Sequence, residues 1–143
     1  MSEDKQKVVV VPCSGIGKAF GSVAREAGYE LCDELRPDAT RLVALSKLVL
    51  GDDEARDRVR RCPVITIDGC KLTCAAKLVK LSGGTIAREA AVLDAFRQHK
   101  GLKPEGIAEL NAEGKQLARI MAEELAEVVD DLGRKAPNGG DHA

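Results

Sequence analysis

The stretch "VITIDGCKLTC", Val64 to Cys74, decides how the chain is read. Its β-branched start marks a buried strand. Asp68-Gly69 ends that strand in a turn. "CKLTCAAKLVKL", from Cys70 to Leu81, then reads as a helix closed by Gly83-Gly84. A strand that turns straight into a helix is half of a βαβ unit. The same stretch delivers two cysteines four residues apart, and they are a metal clamp, a reactive thiol site or two buried neighbours.

Working outward, the pattern repeats. "KVVVVPCS" is a buried-type strand stopped by Pro12. "GIGK" turns the chain into a helix whose Phe20, Ala24, Ala27, Leu31 and Leu35 form one apolar stripe, with Pro37 ending it. "TRLVAL" is the second strand, and "SKLVLG" extends it or begins a helix. "DDEARDRV" has acids in its first turn and arginines behind them, a short surface helix matched to its own dipole. "TIAREAAVLDAFRQH" reads as a last strand followed by a helix. Pro104 opens a short helical turn. Asn111 caps a long helix with Leu117, Ile120, Met121, Leu125, Val128, Val129 and Leu132 on one side. That seam is under three heptads, so packing on the domain's own sheet is favoured over a coiled coil, and a homodimer through the helix stays open.

Strands alternating with helices predict an α/β fold. The expected architecture is a single domain over residues 1–133, with a mostly parallel sheet of about three or four strands flanked by helices. It is a Rossmann-like three-layer arrangement with a long C-terminal helix, followed by a disordered tail at 134–143.

The chain has 143 residues, with 22 lysines and arginines against 23 acids, one Tyr and two Phe. That balance excludes a basic nucleic-acid face or a base-stacking platform. A chain of this size buries about 70% of its unfolded surface, so folding needs neither metal nor disulfides. The charged "MSEDKQK" and the short run Val8–Val11 match neither a signal peptide nor a membrane span, which predicts a soluble cytoplasmic protein. In a reducing compartment, five cysteines point to ligand or catalytic roles before a disulfide framework.

In open α/β sheets the functional crevice lies at the carboxyl ends of the strands. Cys13 and Cys70 each sit just past a strand end, and Cys74 lies one helical turn further on, so these three can converge. Cys62 precedes its strand and falls at the opposite edge, about 17 Å away. Cys32, near the far end of the first helix, lies some 20 Å or more from Cys13. Cys32 and Cys62 are therefore expected to be small buried hydrophobes. A helix start and the turn after Cys13 supply N–H groups, and Lys18, Lys71 and Lys77 add cations, all favouring thiolate. Thiolate both binds soft metals and attacks electrophiles.

Cys-x3-Cys alone is a weaker metal signal than the spacing of zinc knuckles. Cys13 strengthens it, but three thiolates leave one position of a tetrahedron to fill. Asp68 is the nearest oxygen, and its expected role beside Gly69 is to support the turn or cap the following helix. "CSGIGKAFG" fits neither a Walker loop nor a dinucleotide loop, having Pro12, Ala19 and Phe20 where those motifs need other residues. A tight strand-to-helix turn is the favoured reading, with anion capture by Ser14, Gly15, Gly17 and Lys18 as the alternative. His99 and His142 fall on a surface helix and in the tail, which leaves a Cys/His dyad unsupported.

Together, "VPCSGIGKAFGSVAREAGYEL", "ITIDGC" with Cys74, "LSGG" and "GLKPEGIAELNAEGKQLARIMAEEL" resemble the DGC (Asp-Gly-Cys) domain family, from Val8 to about Leu132. The triplet stands here as Asp68-Gly69-Cys70. Members are described as zinc-binding, with four chelating cysteines, and are common in anaerobic bacteria and archaea. The resemblance implies metal ligation by Cys13, Cys70 and Cys74. The fourth family cysteine matches no cysteine here, since Ala44 stands near the end of the second strand. An open position, Asp68, Cys62 or a partner's group remains to complete the set. The expected function is a metal-binding protein holding zinc, or alternatively an iron–sulfur cluster. It would deliver or sense metal for a larger metalloenzyme or metal-accepting protein. The alternative is a thiol-redox or persulfide-transfer enzyme with Cys70 as nucleophile and Cys13 or Cys74 as resolving thiol.

Overall fold

Val8 and Val10 enter one core, Val9 and Val11 the other, and none of the four is more than 1% exposed. A run of valines with no polar face is what a central parallel strand requires, because helices cover both of its sides. The computed structural model describes residues 7–13 and 18–135. The valines form β1 (Val8–Pro12), with β2 (Thr40–Leu42) on one side and β3 (Val64–Asp68) on the other, and β4 (Ile86–Ala91) lies outside β3. All four strands are parallel, in the order β2-β1-β3-β4. Val9 stands beside Val64 and Pro12 beside Ile67, so β1 and β3 end together.

One face carries α1 (Ala19–Tyr29), which runs on as a π-helix over Glu30–Leu35, and also α5 (Val92–Gln98) and α6 (Ala112–Lys135). Val23, Leu31, Leu117, Met121, Leu125 and Val129 pack there with Ile65 and Ile67. The other face carries α2 (Leu45–Leu50), α3 (Asp53–Arg61) and α4 (Cys74–Leu81), whose Leu48, Val59 and Val79 pack with Val64. This is the expected three-layer α/β fold with a long C-terminal helix. Leu117, Met121, Leu125 and Val129 of α6 are buried inside the domain, and Arg36 clamps Asp130 of α6 through two 2.8 Å bonds. No described helix is long and apolar enough to cross a membrane.

"TIAREAAVLDAFRQH" is a strand followed by a helix, as its pattern predicts. "DDEARDRV" is the expected short helix, with the Asp52 carboxylate accepting from the Ala55 N–H at 2.9 Å; such a cap contributes about 1 kcal/mol. The second strand stops at Leu42 instead of running to Leu45, because Leu45 and Leu48, three residues apart, bury one side of a helix. Pro104 opens no helix. Asn111 Oδ1 accepts from Glu105 N–H at 3.1 Å while also capping α6 through Gly114 N–H at 2.9 Å, so a single side chain satisfies both segments. Ser22 adds a 2.7 Å bond from its hydroxyl to the Ile107 carbonyl. α6 continues through Gly133 to Lys135, and the rest of the expected tail lies outside the described residues.

The largest departure concerns α4. It begins at Cys74, not at Cys70, and residues 70–73 form a turn. Cys70 and Cys74 therefore do not share a helical face in this structure. Asp68, buried at the end of β3, accepts from the N–H groups of Ala75 and Ala76 at 2.8 and 3.2 Å. In a helix from Cys70 those two donors would serve the carbonyls of Lys71 and Leu72.

Candidate thiol site

The chain leaves β1 for β2 on one side and finds β3 on the other, so β1 and β3 flank the point where the strand order reverses. Crevices at such points are where open α/β sheets bind ligands. Cys13 is the first residue past β1. Its N–H continues the ladder to the Ile67 carbonyl at 2.9 Å, and its half-buried side chain touches both cores. Across the crevice, the Gly69 N–H donates to the Cys13 sulfur at 3.4 Å.

Gly69 is needed for space. A Cβ there would lie 2.7 Å from the Cα and N of Gly21 and from the Phe20 carbonyl oxygen. The turn after β3 thus rests backbone against backbone on the first turn of α1, which holds the Gly69 N–H against Cys13. Cys70, half-buried, opens the 70–73 turn, closed by the Thr73 N–H donating to the Cys70 carbonyl at 3.3 Å. Cys74 is exposed at the first position of α4. Lys18, Lys71 and Lys77 are all exposed.

Asp68 is the cap that the Asp-Gly step predicts, reached by its carboxylate from within the sheet. Burial pushes its carboxyl above the ordinary value; the bonds from Ala75 and Ala76 oppose this, Glu89 adds to it and Lys77 opposes it. Both carboxylate oxygens are engaged by α4, which gives Asp68 a supporting role. Cys32 and Cys62 are buried away from the crevice, as their positions in the topology predict. Burial pushes the Cys32 thiol up to about 11; a hydrogen bond with Thr40 opposes the rise and Asp33 adds to it. Ser14, Gly15 and Gly17, expected at an anion loop, lie outside the described residues, and Lys18 stands exposed before α1 without a side-chain cap. His142 also lies outside them, and His99 closes α5.

The DGC domain model matches residues 9–131. The chain belongs to the DGC domain family. No curated protein and no solved structure matches it. The triplet of this DGC domain is distributed over three tasks: Asp68 caps α4, Gly69 permits contact with α1 and reaches Cys13, and Cys70 begins the turn. As donors, three thiols suit a soft metal. As placed, they do not form a shell: among the described residues, no group of three or more His, Cys, Asp or Glu side chains is arranged to hold a metal ion. None of the five cysteines is joined in a disulfide.

Two residues of this edge escaped sequence reasoning. Gly21 matches no loop motif in the sequence, and its use against Gly69 is a long-range contact. Thr73 has φ 50° and ψ 50°, the one non-glycine residue with positive φ among the described residues. Nothing in Lys71-Leu72-Thr73 signals that conformation.

Proposed function

We propose that this DGC domain holds a soft metal ion, zinc, through Cys13, Cys70 and Cys74, and serves as an accessory protein that delivers or senses it. The observation that supports this best is the Gly69 N–H aimed at the Cys13 sulfur across the switch point. An N–H directed at sulfur favours thiolate, the form that binds soft metals. Three protein thiolates leave the fourth position to a water or to a ligand from a metal-accepting partner, such as a larger metalloenzyme, which suits transfer better than permanent storage. Five cysteines without a disulfide also fit a reducing compartment such as the cytoplasm.

The test is anaerobic purification followed by measurement of zinc, iron, acid-labile sulfide and free thiol. Near-stoichiometric zinc that is lost in Cys13→Ser and Cys70→Ser is the expected result. Iron with sulfide would replace zinc by a cluster. A metal-free protein with five titratable thiols that takes up no added zinc would sink the proposal.

A metal-free thiol chemistry is the second reading, favoured by the half-burial of Cys70 and the exposure of Cys74. Here Cys70 is the nucleophile of a thiol reductase or persulfide carrier, and Cys13 or Cys74 resolves it. It requires a reversible disulfide within this trio, detectable by peptide mass spectrometry after mild oxidation.

A further inference from the structure

A second concavity opens at the carboxyl edge of the sheet, and no cysteine lines it. This cavity, of about 320 Å³, lies where β2 ends and is walled by β2, α2 and α3. Its size is that of a small-molecule site, and open α/β sheets bind ligands at this edge. β2 is an edge strand, whereas the thiol crevice lies one strand away, between β1 and β3. The two sites are separate.

Three cations meet there from three elements: Arg41 of β2, Lys47 of α2 and Arg58 of α3. Val43 continues the β2 ladder through its N–H to the Val10 carbonyl and is buried on the α2–α3 face. Arg41, two residues earlier, is turned to the same face by the alternation of a strand. Glu54, one turn before Arg58, holds its Nη2 at 3.0 Å. The Arg58 side chain is 16% exposed against 72% for Glu54, so the arginine forms the wall and the acid the rim. A guanidinium carries five N–H donors in a rigid plane that matches carboxylate and phosphate oxygens.

The lining acids do not reverse this charge. Asp52 accepts from the Ala55 N–H at 2.9 Å as the cap of α3, and Glu54 is engaged by Arg58. Leu42 adds a backbone donor: Ala39 and Val43 are the residues that bond β1, so the Leu42 N–H between them points to the free edge. Val43, Ala44 and Ala55 supply apolar surface beside these donors.

We infer that this cavity binds a small organic oxyanion, a carboxylate or phosphate ester on a short apolar body. Arg41 and Arg58 grip the oxygens, and Val43, Ala44 and Ala55 lie against the body. Lys47, exposed, draws the anion in. No bond is made or broken, and the site works independently of the thiols.

The test is a titration of the reduced full chain read by backbone amide NMR, with ionic strength fixed by sodium chloride so that screening stays constant. Phenyl phosphate and benzoate present the two headgroups on similar bodies, and benzylamine presents a cation instead. One or both anions should shift the amides of Leu42, Val43, Ala44 and Ala55 saturably, with Kd about 1 mM or tighter. The tighter of the two names the headgroup. Arg41→Gln and Arg58→Gln should each weaken that binding about tenfold or more. Benzylamine should not bind. Failure of both anions to saturate, benzylamine binding as tightly as the anions, or unchanged affinity in either folded variant overturns the site. Should Arg58→Gln, which also loses its bond to Glu54, fail to fold by circular dichroism, Arg41→Gln decides.

Discussion

Gly69→Ala puts a methyl group where there is no room. Its carbon would sit 2.7 Å from three backbone atoms, Gly21 Cα, Gly21 N and Phe20 O, where ordinary contact begins near 3.4 Å. Backbone cannot swing aside as a side-chain end can, so the 69–73 turn and the start of α1 must part by about 0.7 Å, the usual route by which overpacking costs about 1–3 kcal/mol. For 143 residues the unfolding entropy is roughly 0.3 kcal/mol per kelvin. A loss of about 2 kcal/mol then lowers Tm by about 7 °C. The same displacement takes the Gly69 nitrogen from 3.4 Å to about 4 Å from the Cys13 sulfur. Without that donor, alkylation of Cys13 by iodoacetamide at neutral pH should slow about threefold to tenfold. Calorimetry gives the first quantity and peptide mass spectrometry of timed alkylation the second. Gly101→Ala is the control, since a Cβ there meets nothing within 4 Å. A Gly69→Ala protein with unchanged Tm and unchanged Cys13 alkylation would refute the idea that this glycine is a spacer.

Four further outcomes are expected. Asp68→Ala strands the Ala75 and Ala76 N–H groups and should cost about 1–2 kcal/mol in denaturant unfolding. Because burial raises the folded-state value of Asp68, its contribution is full below the ordinary carboxylate value of 3.8 and is lost as pH rises through the raised one. The stability of the natural chain relative to Asp68→Asn should therefore fall over that window. Asp130 has the opposite sign: the Arg36 hydrogen bond holds its carboxyl below the ordinary value, so its stabilisation is present above 3.8 and lost as pH falls through the lowered value; Asp130→Asn should flatten the acid limb of a stability–pH curve. Finally, a thiol-exchange reagent on the native protein should label Cys74 first and leave Cys32 and Cys62 until unfolding, since both are buried and the Cys32 thiol is pushed up to about 11. Early labelling of Cys32 would contradict its place in the core.

The parallel sheet was legible because its evidence is local. Val8–Val11 has no polar face and "VITID" ends at a turn, and both facts belong to short stretches of the kind that buried parallel strands use. The division of the cysteines followed from the same source, since strand direction alone assigns Cys13 and Cys70 to one edge and Cys62 to the other. Asn111 announced its cap through residue type and position.

What only the tertiary structure decided is where α4 begins and what Gly69 is for. Helix propensity sees Cys70 to Leu81 as continuous, because Lys71, Leu72 and Thr73 contain no breaker. The break comes from Asp68, fixed in a strand whose burial holds its carboxylate against the N–H groups of Ala75 and Ala76. Gly69 likewise reads as an ordinary turn glycine until the fold brings Gly21, 48 residues earlier, against it. Local preference is a sum over neighbours in the chain, whereas a cap from the sheet and a backbone contact between α1 and the turn exist only once the layers have packed.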